Sequence, residues 1–282
     1  MEQEAERAQP ARAAIVLAGG EITRLRSLIR RITGRDVPKQ CCPLIGRDTL
    51  LEQTLRRASL SVEKRMTSVA VRRIHERFYA PLTQDIPAPN LIVQPQNRGP
   101  ALLAKTAPLR ATSRPRLPWL SRGPNWSCFW APSPARPKPG TAGSSPDSQC
   151  ARRPYSWCAG FGKKPQPDLA NELLGRGCLW NSFVMVGRLS AFLDLFMMAL
   201  RSLYVAFRQV QPIFAAVFEK ARVEKLYGDL KSANFSDDVL ARHAPNLAVL
   251  PVKGVKWSDL GEPRRVMEAY ARIGVRPGWA VA

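Results

Sequence analysis

Between Val16 and Arg26 the chain reads Val-Leu-Ala-Gly-Gly-Glu-Ile-Thr-Arg-Leu-Arg, and a short distance on it reads Pro38-Lys39-Gln40. The apolar run from Ala13 to Leu17 predicts a buried first strand. It empties at once into Gly19-Gly20, where a backbone without Cβ atoms turns sharply and comes close to a ligand. Thr23 supplies a hydroxyl and Arg24 and Arg26 guanidinium donors, and backbone N–H groups at a strand-to-turn junction form a concavity for an anion. A lone Gly-Gly beside arginines is most often a solvated turn. The later Pro38-Lys39-Gln40 shifts the reading toward two segments that share a phosphate.

These residues resemble the signature of the sugar-1-phosphate nucleotidylyltransferases, L-A-G-G-x-G-T-R-L-x-P-L-T leading to P-K, and the Pro-Lys-Gln ending is most similar to the mannose-1-phosphate guanylyltransferases within that family. Ile22 stands where the family has glycine, Ser27 where it has proline, and Ile29 where it has threonine or serine. A β-branched residue at position 22 resists the positive-φ conformations that glycine permits. Gln94-Pro95-Gln96-Asn97-Arg98-Gly99 resembles Q-P-x-N-R-G-T-A-P-A, which lines the base and sugar pocket, but the resemblance stops at Gly99. Phe161-Gly162-Lys163-Lys164-Pro165 resembles F-x-E-K-P with Lys163 in place of the glutamate. Trp180-Asn181-Ser182 resembles the W-N-S element, and Gly254 to Gly261 resembles G-W-S-D-V-G.

The resemblance implies transfer of a nucleotidyl group, with GTP and mannose 1-phosphate giving GDP-mannose and pyrophosphate. It implies Leu17, Ala18, Gly19, Gly20, Thr23 and Gln94 around the nucleotide, and Arg24 and Lys39 neutralising the triphosphate and the leaving group. Lys164 would anchor the sugar phosphate, Asn181 a sugar hydroxyl, and Asp259 a Mg²⁺ ion, since a hard cation bridging phosphates takes one or two carboxylates. Each has a plainer reading: Lys163-Lys164-Pro165 as a solvated surface pair, Asn181 as a buried amide bonded to backbone, and Asp259 as a turn former before glycine. The family's first metal-binding aspartate falls in the region where the resemblance lapses. Asp147 is the acid there, but no apolar strand precedes it.

The elements that must hold these residues alternate. Asp48-Thr49 with Glu52 predicts a helix starting near Thr49. Strands are expected at Ser68–Val71, Asn90–Val93, Cys178–Gly187 and Leu247–Val252, and helices at His75–Leu82, Asp168–Leu174 and Glu262–Ile273, with Arg30 to Val37 a basic connection. That order predicts an α/β fold, a doubly wound and mainly parallel Rossmann-like sheet of the nucleotidyltransferase type, disrupted in the middle, with ligands at the carboxyl ends of the strands. Four sections follow: a polar lead (1–12), a nucleotide-binding half (13–99), an aberrant segment (100–160) and a sugar-phosphate-binding half (161–282).

With 282 residues, 45% of them hydrophobic, the chain can bury a substantial core. The apolar stretch Leu189 to Phe218 is broken by Asp194, Arg201, Arg208 and Pro212, so it reads as core helices and not as a membrane span. Its stripe of Phe192, Leu195, Phe196, Ala199, Leu200, Leu203 and Phe207 is a core face. No apolar signal region opens the chain, and its six cysteines lack metal-type spacing, so a cytoplasmic location with reduced thiols is the expectation. Nothing in the sequence sets the oligomeric state.

The formal net charge of +21 would ordinarily indicate nucleic acid. No Asp or Glu occurs between Asp85 and Asp147, however, so much of the excess is local, which argues against nucleic acid as the partner. Residues 100–160 are dense in Pro, Arg, Ser and Trp, so neither helix nor strand period is expected there. They read as a disordered insertion, as a basic nucleic-acid-binding arm with Trp119, Trp126, Phe129 and Trp130, or, the preferred reading, as a shifted reading frame, because family-like text ends at Gly99 and resumes near Phe161. Translating the coding DNA in its other frames tests the third. The rival functions are a catalytically silent nucleotide-binding relic and a basic nucleic-acid binder.

Overall fold

The computed structural model describes residues 12–21, 24–99, 127–132, 143–146, 156–162, 165–210, 219–252 and 257–280. Thr23 and Lys164, both candidate site residues, lie outside the described residues, as do Ile22, Lys163 and Asp147.

β1 (Ala14–Leu17), β2 (Thr67–Arg72) and β3 (Leu91–Gln94) form a parallel sheet in that order, with Val16 opposite Val69 and Ala70 opposite Ile92. Thr67 to Val71 are all buried, as suits a strand covered on both faces. Helices α1 (Arg26–Thr33), α2 (Leu50–Ser59) and α3 (Glu76–Tyr79) lie between the strands. The α2 start follows its cap: the Thr49 hydroxyl accepts from the Glu52 N–H at 3.2 Å, and the Glu52 carboxylate accepts from the Thr49 N–H at 2.7 Å. The stretch expected as a basic connection from Arg30 is helical as far as Thr33. Leu28 and Ile29 drop into the core, and Gly34 closes the helix with φ 72°. The helix expected over His75–Leu82 is shorter, with 3₁₀ turns on either side of α3.

A second, mixed sheet has the order β7-β5-β6-β9-β4-β8, made of β4 (Ser127–Pro132), β5 (Gly143–Pro146), β6 (Ser156–Gly162), β7 (Leu179–Trp180), β8 (Val184–Gly187) and β9 (Leu247–Val252). β4 runs parallel to β9 and antiparallel to β8. Three strands thus come from the segment whose proline density forbade them. The prolines end β4 and β5, where a missing N–H costs little of the ladder. The single strand expected over Cys178–Gly187 is two. The chain leaves extended geometry at Phe183, whose φ is 59°, so that β7 pairs with β5 and β8 with β4.

Helices α4 (Pro167–Gly175), α5 (Leu189–Ala199), α6 (Arg201–Val210), α7 (Glu219–Asp229) and α8 (Pro263–Arg272) complete the described chain. The apolar stripe lies where its spacing placed it: Leu195, Phe196, Leu203 and Phe207 are buried with Tyr227, Leu240, Leu247 and Val249 against the second sheet, while Phe192, Ala199 and Leu200 are half-buried. Among the described residues no single helix is long and apolar enough to cross a membrane. A separate core beside the first sheet joins Val16, Ile29, Leu44, Leu51 and Val69 to Val266 and Tyr270 of α8. The C-terminal helix is therefore packed into the N-terminal half. That packing brings residues 257–265 to the glycine loop.

Candidate functional site

The glycine loop and the Pro-Lys-Gln segment are joined directly. Ala18 continues the parallel ladder by donating its N–H to the Ala70 carbonyl at 2.7 Å. Its own carbonyl accepts from Gln40 Nε2 at 2.5 Å. Lys39, one residue earlier, is half-buried and donates from Nζ to the main-chain oxygen of Asp259 at 2.6 Å. Arg24 Nη1 meets Glu262 Oε1 at 2.9 Å. Arg24, Lys39 and Asp259, far apart in sequence, are thus assembled at the carboxyl end of β1.

The turn after Trp257 is shaped around the Asp259 carboxylate. Its Oδ1 accepts from the Gly261 N–H at 3.2 Å and is 2.5 Å from Arg265 Nη1. Leu260 sits at φ 45°, a conformation that side chains rarely adopt, and a Cβ on Gly261 would stand 3.2 Å from Asp259 Oδ2. Asp259 is therefore a turn former as well as a candidate ligand. Arg265 is only 6% exposed and lies in the first turn of α8, where Val266 beside it is fully buried.

Charge in this cluster is finely set. Burial pushes the Lys39 ammonium below the usual lysine pKa; Asp259 opposes that shift, while Arg24 and Arg265 add to it. Burial pushes the Asp259 carboxyl upward, but the Arg265 hydrogen bond and charge, the Gly261 N–H and Lys39 together hold it below its usual value. Three cations thus surround two carboxylates, Asp259 and Glu262. The cluster therefore carries one excess positive charge toward an arriving anion. Next to Lys39, burial raises the Cys41 thiol to about 12 and the Cys42 thiol to about 11, so neither supplies a thiolate nucleophile at neutral pH.

For a metal ion the donor set is sparse: among the described residues no group of three or more His, Cys, Asp or Glu side chains could hold one. Asp259 fits as a single carboxylate ligand to an ion that arrives with polyphosphate, since Mg²⁺ keeps waters and phosphate oxygens as its other ligands.

A second cluster flanks the loop. Glu21 Oε1 accepts from Arg72 Nη1 at 2.8 Å and from Asn97 Nδ2 at 3.0 Å, which ties the glycine loop to the ends of β2 and β3. Gln94 is 1% exposed, and its Nε2 has no hydrogen-bond partner among the described residues. Its register partner on β2 is Arg72. Gly99 ends this stretch at φ 89°, where a Cβ would come within 2.2 Å of the Ala233 carbonyl oxygen. Leu17 is exposed, Ala18 and Gly19 are buried, and Gly20 faces open space.

Asn181 lies in the break between β7 and β8. It is fully buried, with Oδ1 accepting from the Phe183 N–H at 2.8 Å and Nδ2 unpartnered among the described residues. The sequence reading missed Glu21, Glu262 and Arg265. A polar residue on the inward face of α8, next to the apolar Val266, was the one available signal for Arg265.

No family model matches the chain, and no curated protein matches it. Solved structures do. One described as mannose-1-phosphate geranyltransferase from Thermus thermophilus is 23% identical with a TM-score of 0.74, covering 94% of this chain and 79% of that one. Mannose-6-phosphate isomerase from Helicobacter pylori is 16% identical with a TM-score of 0.59, covering 88% of this chain and 99% of that one. Inositol-1-phosphate CTP transferase from T. maritima is 14% identical with a TM-score of 0.52, covering 95% of this chain and 99% of that one. The chain has the sugar-phosphate nucleotidyltransferase-like fold.

Proposed function

We propose that the chain is a nucleotidyltransferase that joins GTP and mannose 1-phosphate to give GDP-mannose and pyrophosphate. The observation that carries this reading is the meeting of Arg24 and Lys39 with the Asp259 turn at the carboxyl end of a parallel sheet. Ligands of open α/β sheets bind at that end. Two of the structural neighbours, described as a mannose-1-phosphate geranyltransferase and an inositol-1-phosphate CTP transferase, support the class of reaction.

An anomeric phosphate oxygen attacks the α-phosphorus of the nucleotide in line. The new P–O bond forms as the bond to the β-phosphate breaks, and the electron pair leaves with pyrophosphate. The protein's part in such chemistry is positioning and charge neutralisation. Arg24 and Lys39 exchange the Glu262 carboxylate and the Asp259 carbonyl for phosphate oxygens, so their positive charge follows the developing negative charge on the leaving group. Leu17, Ala18, Gly19, Gly20, Thr23 and Gln94 take the nucleotide, and Lys164 and Asn181 the sugar phosphate. Asp259 is the residue that would hold a Mg²⁺ ion arriving with the nucleotide, and such an ion would supply further charge neutralisation. The reduced, buried thiols of Cys41 and Cys42 suit a cytoplasmic setting.

One observation favours a second reading, nucleotide binding without turnover: Asp259 is already bound to the buried Arg265. Pyrophosphate release across a panel of nucleoside triphosphates and sugar 1-phosphates separates the two. The first reading predicts release only when GTP and mannose 1-phosphate are both present. Nucleotide binding with no release from any pair contradicts it and supports the second.

A further inference from the structure

Glu21 is the side chain of the glycine loop that the proposed chemistry leaves unused, and it does not point idly into solvent. Both of its hydrogen bonds fall on Oε1, one from Arg72 and one from Asn97. Oε2 has no partner among the described residues. The Glu21 side chain is 54% exposed while Arg72 is only 15% exposed, so a half-buried guanidinium fixes a carboxylate whose other oxygen is open to a ligand. The Asn97 hydrogen bond and the Arg72 charge hold the Glu21 carboxyl below its usual pKa.

The surroundings add a complementary donor. Gln94 stands opposite Arg72 in the ladder, is buried, and has an amide Nε2 with no partner among the described residues. An orphaned buried donor is costly unless a ligand or water completes it. The end of the first sheet therefore carries a carboxylate oxygen and an amide Nε2, each without a partner among the described residues, linked through Arg72, which bonds Glu21 and stands opposite Gln94 in the ladder.

We propose that Glu21 selects the base of the bound nucleotide by accepting hydrogen bonds from adjacent ring N–H and exocyclic N–H₂ donors, the pattern presented by guanine. The assignment rests on the polyphosphate reading given above. Adenine presents an acceptor where guanine presents its ring N–H, and hypoxanthine keeps the ring N–H but lacks the exocyclic amine. A carboxylate facing either loses part or all of its pairing. Arg72 and Asn97 act as positioning residues, because they fix the carboxylate through Oε1 and leave Oε2 to the base.

Equilibrium binding of GTP and ITP to the full chain, without sugar phosphate, tests this. The wild-type chain should bind GTP roughly tenfold more tightly than ITP, the scale on which a two-bond base contact discriminates. Glu21→Ala should remove that preference by weakening GTP more than ITP, which loses only its ring N–H contact, while leaving inorganic pyrophosphate affinity within about twofold. Retained pyrophosphate binding shows that the variant is folded and that its phosphate site is intact, and Glu21→Gln, whose one amide oxygen stays with Arg72 and Asn97 while its N–H₂ faces the base donors, should lose the GTP preference as fully as Glu21→Ala. Equal binding of GTP and ITP by the wild type, or an undiminished preference in Glu21→Ala, overturns the assignment while the polyphosphate reading stands. If neither nucleotide binds the wild type, both fall together.

Discussion

Lys39 keeps its charge in a half-buried place between two arginines, so its protonation is more easily lost than that of a surface lysine. A bound polyphosphate favours the charged form, and binding therefore takes up a proton wherever free Lys39 is partly neutral. GTP affinity should fall as pH rises through this lowered lysine pKa, before the range in which ordinary lysines titrate. Calorimetric titration from neutral pH upward should show that fall in the wild type and a much flatter profile in Lys39→Arg. Asp259 has the opposite sign. Its folded-state pKa is depressed, so its stabilising contribution is present above the usual carboxylate range and fades as pH drops through the lowered value. Asp259→Asn removes the carboxylate charge that faces the buried Arg265 and should cost about 3 kcal/mol of stability at neutral pH by denaturant unfolding. The difference from wild type should close in acid.

At the scale of elements, the glycine loop, the Gln94–Gly99 stretch and the turn after Trp257 are placed by close backbone contacts. Gly99 is the clearest case. Its φ of 89° and the 2.2 Å that would separate an added Cβ from the Ala233 oxygen exclude any side chain, and Ala233 in turn donates its N–H to the Arg98 carbonyl at 3.0 Å. Arg98 extends the same junction by donating to the Tyr227 and Gly228 carbonyls. Gly99→Ala should therefore destabilise the protein by about 1–3 kcal/mol from backbone strain alone, with further loss from the displaced junction, as read by chemical denaturation. The elements also show what a sequence reveals. Thr49 and Glu52 announced α2 because a capping box is a local device, and β1, β2 and β9 were legible from short apolar runs. The split at Phe183 was not, because apolar residues stand on either side of the short Asn181-Ser182 pair and the break is set by the backbone conformation of Phe183 itself. The strands ending at Pro132 and Pro146 were hidden for another reason: proline forbids a strand interior but not its last residue. Arg265 was illegible because its partner, Asp259, is fixed by the turn geometry of Leu260 and Gly261.

Across the whole molecule, two sheets with separate cores are joined by α8, which packs Val266 and Tyr270 against the first sheet while its preceding turn follows β9 of the second. Ion pairs reinforce the junction, Arg24 with Glu262 and Arg73 with Glu224. Because the candidate phosphate site lies on this junction, a polyanion bound there should stabilise the fold by mass action. The formal charge of +21 makes some anion binding inevitable, so specificity must be read against salt. The most direct measurement is equilibrium binding of GTP to the full chain at physiological salt, compared with Lys39→Gln. A shared polyphosphate site predicts saturable binding at one site per chain, weakened roughly tenfold or more by the substitution. GTP binding that is absent, or equally tight in Lys39→Gln, would contradict it.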